Sequence, residues 1–324
     1  MAIRRSDLID TENAGYYHLV SRCVRRAFLC GTDEETGHCY EHRRQWIENR
    51  MLELATIFSI EIYSYAIMHN HYHLVVYSDP LGPQRWSDLA VAERWLKLFP
   101  GRLNHPQFKL QREMRLQAIV ADKQLLAQYR KRLGSLSWLM RCINEPIAKR
   151  SNQEDCVKGH FWEARFHSQA LLDEAAALTC MAYVDLNPIR AGLTQSLEDS
   201  QHTSIQKRLA ELSEDDLKRA VMAIAGAVRE RTMVITLKDY IGLVEWTGRA
   251  ICYPDKASMP PNLPSVFEHL NLNQNNWLSQ VQAYGTNYYR AVGSFHSLIM
   301  QARKFKQRWF KGINAVQSLY VTHS

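Results

Sequence analysis

The chain has 324 residues, 46% hydrophobic and 23% charged, a balance that suits a globular protein and excludes wholesale disorder or a low-complexity chain. A formal net charge of +7 favours polyanionic partners without naming one. The longest apolar run, residues 220–228 between charged neighbours, falls short of the roughly 18 residues that cross a bilayer, so no membrane association is expected. Residues 1–10 carry Arg4, Arg5, Asp7 and Asp10 with no continuous apolar core, unlike a secretory signal, and a cytoplasmic location is expected. Seven cysteines without a CxxC pair predict reduced, mostly buried thiols rather than a disulfide framework or a thiolate zinc site.

Residues 16–24 (Tyr-Tyr-His-Leu-Val-Ser-Arg-Cys-Val) are aromatic and β-branched and predict a first strand, with Arg22, Arg25 and Arg26 at its end. From about 34 to 58, Trp46, Ile47, Met51, Leu54, Ala55 and Phe58 recur at helical spacing. Residues 60–68 and 71–77 predict two strands joined at His69-Asn70 as an antiparallel hairpin. Helical periodicity returns over 85–99, Pro100-Gly101 breaks it, and 102–132 is polar and basic. The stretch 134–150 is helical again, with Pro146 expected to kink it or mark a boundary. Residues 161–172 predict a strand, after which Asp173 opens a helix with an acidic first turn that runs to Asn187-Pro188.

The order strand, helix, strand, strand, helices, strand, helix predicts an α+β fold. It suits a ferredoxin-like antiparallel sheet with helices on one face, over residues 10–200 with an insertion at about 79–134. Beyond Leu193 the strand signal disappears, and 203–212, 215–231 and 236–251 are helix-compatible, giving a mainly helical region over 201–324. Its tail has no Asp or Glu after Glu268. There Arg290, Arg303, Lys304, Lys306, Arg308 and Lys311 are interleaved with Trp277, Tyr284, Tyr288, Tyr289, Phe305, Trp309 and Phe310, a composition that fits either DNA contact or a solvated helical face.

Alternate residues of a strand share a face, so His69-Asn70-His71-Tyr72-His73 brings two or three imidazoles within chelating reach, unless one or two of them are structural. Tyr183 and Asn187, at i and i+4, share a helical face. An amide oxygen can complete a hard-metal site with two imidazoles, and a phenol beside that metal can attack phosphorus as a covalent nucleophile. Taken alone, Tyr183 reads as a core residue.

His71-Tyr72-His73, within Met-His-Asn-His-Tyr-His-Leu-Val-Val, resembles the His-hydrophobic-His motif of HUH single-tyrosine transposases, the insertion-sequence-200-like superfamily. The usual form there is Met-Pro-Asn-His-Val-His-Leu, so His69 stands in place of proline. Phe161-Trp162-Glu163-Ala164-Arg165-Phe166 and Tyr183-Val184-Asp185-Leu186-Asn187-Pro188-Ile189-Arg190-Ala191-Gly192 are similar to the REP-associated tyrosine transposase branch. The resemblance covers roughly residues 10–200. It implies Tyr183 as nucleophile and His71, His73 and Asn187 as ligands of a divalent metal, Mg²⁺ or Mn²⁺. Asn187 stands where insertion-sequence members often place Gln.

The activity implied is cleavage and rejoining of single-stranded, hairpin-forming DNA with palindromic repeat ends, through a 5′-phosphotyrosine and a free 3′-hydroxyl. Insertion-sequence relatives work as homodimers, whereas the repeat-associated branch can act as a monomer. Arg22, Arg25, Arg26 and Arg165 are the expected phosphate contacts. Two alternatives stand beside this activity: a domesticated, non-cleaving binder of palindromic DNA, and an HxH metallohydrolase using activated water.

Overall fold

The computed structural model describes residues 8–24, 29–33, 35–101, 105–227, 230–255, 257–287, 290–305 and 312–320. Strand β1 (Gly15–Arg22) is followed by helix α1 (His42–Ala55), which starts later than the periodicity predicts. Residue 34 lies outside the described residues. Beyond it, the Asp33 carboxylate accepts from the Glu35 N–H at 3.0 Å and Gly37 adopts φ +72°, so the chain makes a turn where a helix would otherwise begin. The hairpin follows as predicted, β2 (Ile60–Ile67) and β3 (His71–Ser78) flanking His69-Asn70.

Helices α2 (Asp88–Leu98), α3 (Lys109–Ala121) and α4 (Lys123–Leu133) fill the insertion, and α5 (Leu136–Glu154) runs unbroken through Pro146. The expected kink has a local remedy. Proline cannot supply the N–H that the Cys142 carbonyl would receive one turn back, and Arg50 Nε of α1 donates to that oxygen at 3.1 Å instead. Strand β4 (His167–Leu171) is shorter than the predicted 161–172. The Trp162 indole donates to the Asn144 carbonyl of α5 at 2.8 Å, and the preceding residues meet the end of β1 in an isolated bridge, Cys23 to Trp162.

Helix α6 (Glu174–Asp185) starts at an Asp173 side chain that accepts from Ala176 N–H. It ends at Asp185 with Leu186 as its C-cap, as expected just before Asn187-Pro188, and Pro188 sits in the first turn of a new short helix, α7 (Asn187–Arg190). The region beyond is less purely helical than expected. After α8 (Ser204–Ala210) and α9 (Glu214–Lys218) comes a small hairpin of β5 (Ala220–Met222) and β6 (Thr232–Thr236), where helix was predicted over 215–231. Met233 and Ile235 are buried while Thr232 and Val234 are exposed, the two-residue period of a half-buried strand.

Helices α10 (Leu237–Cys252), α11 (Leu263–His269), α12 (Trp277–Gln282) and α13 (Tyr284–Asn287) then lead to β7 (Ala291–Val292), followed by α14 (Phe295–Lys304) and α15 (Ile313–Leu319). No helix among the described residues is long and apolar enough to cross a membrane.

The main sheet has the order β2-β3-β1-β4-β7. Its first four strands pair antiparallel in the order of a ferredoxin-like βαββαβ unit. The fifth, β7, joins β4 in parallel, so the complete sheet is mixed rather than purely antiparallel. Helices also cover both faces, not one. Tyr65 bonds Glu48 of α1 and Tyr72 bonds Asn144 of α5, whereas the neighbouring Ser64 bonds Asp185 of α6 and His73 meets the Tyr183 ring of α6. Adjacent strand residues point to opposite faces, so α1 and α5 form one layer and α6 the other.

Helix α6 is buried all round, and Asp185 pins it. Its carboxylate accepts from Ser204 Oγ, Tyr240 Oη, Ser64 Oγ at 3.2 Å and Ile205 N–H at 3.1 Å, joining β2, α8 and α10. Burial pushes the carboxyl pKa up, and the bonds from Ser204 and Tyr240 act against that shift. Removing the acceptor strands buried donors. Asp185→Ala is therefore expected to lower stability by about 3 kcal/mol, read as an earlier denaturant midpoint, and an unchanged midpoint would show that α6 is held by packing alone.

Candidate functional site

Pairing of β3 with β1 sets His73 opposite Val20 and His71 opposite Arg22, placing both imidazoles on the face that α6 covers. The two rings lie 4.8 Å apart at their centroids. His73 is buried, and its Nδ1 is 2.9 Å from Nε2 of His18, a β1 residue on the same face. His71 Nδ1 is 2.6 Å from Asn70 Oδ1. Each Nδ1 is thus engaged.

The second ring nitrogen is the one left over: His73 Nε2 is buried with no hydrogen-bond partner. Burial depresses the pKa of His71 to about 4 and of His18 to about 3, and it carries His73 well below the usual imidazole range, with like charge adding to the effect. Neutral rings are the form that binds metal.

Tyr183 faces these rings from α6. Its centroid lies 5.8 Å from that of His73 and 6.1 Å from that of His18. The Arg190 guanidinium lies 4.6 Å from the same ring centre. Tyr284 of α13 stacks on it at 4.7 Å and donates its hydroxyl to Gln169 Oε1 of β4 at 3.0 Å. A Cβ on Gly285 would come within 3.1 Å of the Tyr183 hydroxyl oxygen, so the absent side chain permits the close approach of α13. Tyr183 is left only 9% exposed.

Asn187, one helical turn on, is also buried, and its Nδ2 has no partner. An amide with an orphaned end can be turned to present its oxygen. Among the described residues no three His, Cys, Asp or Glu side chains converge in metal-holding geometry. A divalent ion here would rely on two imidazoles and the Asn187 amide, and the orphaned nitrogens fit that donor set.

The structure brings His71, His73 and Tyr183 together, and it buries Asn187 at the start of α7, four residues after Tyr183. Arg22 is exposed opposite His71, and its charge helps to depress the His71 pKa after burial. Arg165 is exposed in the segment before β4, where a groove of about 930 Å³ is lined by Arg141, Asn144, Trp162, Arg165 and Phe166 among others. Arg25 and Arg26 lie outside the described residues, as do Tyr288, Tyr289, Lys306, Arg308, Trp309, Phe310 and Lys311 of the basic tail.

Trp277 and Tyr284 of that tail are buried, Trp277 Nε1 donating to Thr247 Oγ1 at 2.8 Å, so neither ring is a surface for unpaired bases. His69 is exposed and packs over Gly31. Sequence reasoning missed His18, Arg190, Gln169 and Tyr284. The one usable signal was the spacing of His18 and Arg22 on a single strand face.

No protein-family model matches the chain, and no curated protein matches it. Among solved structures, a REP-associated tyrosine transposase bound to a REP hairpin is similar at 14% identity and a TM-score of 0.38, over 72% of this chain and 99% of that one. So distant a likeness transfers no residue role and no activity.

The stacked cover over Tyr183 makes a direct prediction. Tyr284→Ala should cost about 3 kcal/mol of stability and speed nitration of Tyr183, followed peptide by peptide by mass spectrometry. An unchanged nitration rate at Tyr183 would show that Tyr284 does not shield it.

Proposed function

We propose that the protein is a metal-dependent DNA strand transferase of the HUH single-tyrosine kind, cutting single-stranded, hairpin-forming DNA and joining it again. One observation carries this reading: His71 and His73 of β3 and Tyr183 of α6 converge on one sheet face, with His73 Nε2 and Asn187 Nδ2 left without hydrogen-bond partners. Two of the three sequence blocks that resemble such transposases supply the same residues, His71 and His73 in one and Tyr183 and Asn187 in the other.

His71 and His73, through Nε2, and the Asn187 amide oxygen would hold Mg²⁺ or Mn²⁺, which when bound polarises a scissile phosphate and offsets charge on its oxygens. The chain's own groups do the rest. Tyr183 Oη attacks phosphorus and loses its proton, and the P–O3′ bond breaks with a proton going to the departing 3′-oxygen. The 5′ phosphate stays on the tyrosine as a diester, and a later attack by a DNA 3′-hydroxyl reverses the step without ATP. Arg190 sets a positive charge against the phenol, and Arg22 offers an exposed cation beside His71. The packed cover of Tyr284 and Gly285 favours a second reading, a non-cleaving binder of hairpin DNA whose tyrosine stays buried.

Labelled single-stranded hairpin oligonucleotides from the gene's own flanks separate these readings on denaturing gels. The proposal expects a covalent adduct with the native protein that EDTA removes and that Tyr183→Phe, His71→Ala and His73→Ala all lack. Binding without an adduct supports the non-cleaving reading. Cleavage that survives Tyr183→Phe makes the protein a metallohydrolase.

A further inference from the structure

His18 is a third histidine on the candidate site's face that no ligand role accounts for. It is buried, sits on the central strand, and contacts His73 through an Nε2 to Nδ1 distance of 2.9 Å, the rings stacked within 11° of parallel. We infer that His18 is a positioning residue: it accepts the Nδ1–H of His73 and so fixes the tautomer and ring orientation that leave the His73 Nε2 lone pair for a divalent cation. The inference rests on the reading of His71 and His73 as metal ligands.

Proton bookkeeping selects this direction. A contact of 2.9 Å between two neutral imidazole nitrogens needs one donor and one acceptor. If His18 donated, His73 would carry its hydrogen on Nε2, a buried atom with no acceptor in reach. With His73 donating, Nε2 is a bare lone pair, and its lack of a hydrogen-bond partner is what a metal ligand requires. Metal-bound histidines characteristically donate the other N–H to an outer group, and here that group is an imidazole in place of a carboxylate or carbonyl.

His18 is itself held. Accepting at Nε2 leaves its own proton on Nδ1, and Gln169 stands directly opposite His18 on β4. Gln169 Oε1 in turn accepts from Tyr284 Oη at 3.0 Å. The C-terminal region therefore comes up to His18 through Tyr284, whose ring centre lies 6.2 Å from that of His18, in addition to covering Tyr183.

Two measurements test the inference on the full-length protein. Long-range ¹H–¹⁵N spectra of the metal-free protein, with the His73 ring assigned from His73→Gln, should show His73 protonated at Nδ1. Mn²⁺ titration followed by EPR should show affinity falling about 10- to 100-fold in His18→Leu. In His18→Gln, whose side-chain oxygen can take the place of Nε2, most of that affinity should return. His73 protonated at Nε2 in the native protein overturns the inference, as does wild-type Mn²⁺ affinity in His18→Leu. Equal losses in the Leu and Gln variants overturn it too, since a purely structural role predicts them. If instead the native protein binds no Mn²⁺, or binds it unchanged after His73→Ala, the metal reading fails and the inference falls with it.

Discussion

The antiparallel register of β1 against β3 is the constraint on which the candidate site depends. With Val20 opposite His73 and Arg22 opposite His71, the two imidazoles and His18 face α6, while Tyr72 and Leu74 face the α1 and α5 layer. Side chains alternate with a period of two, so a slip of one residue would drive His71 and His73 into the opposite core and bring Tyr72 toward Tyr183. Buried partners on both faces resist that slip. Tyr72 bonds Asn144, which also bonds Ser21, and His73 meets His18.

The second requirement is a fixed α6, because it carries Tyr183 of the candidate site, and α7, which opens with Asn187, follows directly from it. A helix buried on every side cannot be oriented by an amphipathic stripe. Polar anchors do that instead: Asp173 starts it, and Asp185 ties its end to β2, α8 and α10. Packing adds to the polar ties, since a Cβ on Gly248 of α10 would come within 2.9 Å of the Leu186 side chain. The C-terminal region is part of the site's wall, with β7 extending the sheet and Tyr284 stacked on Tyr183.

Much of this is legible in the sequence wherever a local period carries it. The His-Tyr-His alternation and the strand signals over 60–68 and 71–77 each depend on neighbours in the chain, and the structure forms the two strands and sets His71 and His73 on one face. What long-range partners decide was not legible. Pro146 reads as a break until Arg50, distant in sequence, fills the carbonyl that it orphans. His18 looks like one polar residue in a strand until the β1–β3 register sets it against His73. Tyr284 and Trp277 look like exposed rings on a basic tail because nothing local reports that Gln169 and Thr247 receive them. The β6 strand was missed for a different reason: its alternation spans only Thr232–Thr236, between segments with helical composition.

The central claim is that His71, His73 and Asn187 form one ligand set beside Tyr183. Anomalous diffraction from crystals soaked in Mn²⁺ tests it directly. The account predicts an anomalous peak bonded to Nε2 of His71, Nε2 of His73 and the amide oxygen of Asn187, on the Tyr183 side of the sheet. A peak held by other residues, or His71 and His73 without manganese in a crystal that binds it elsewhere, would contradict it.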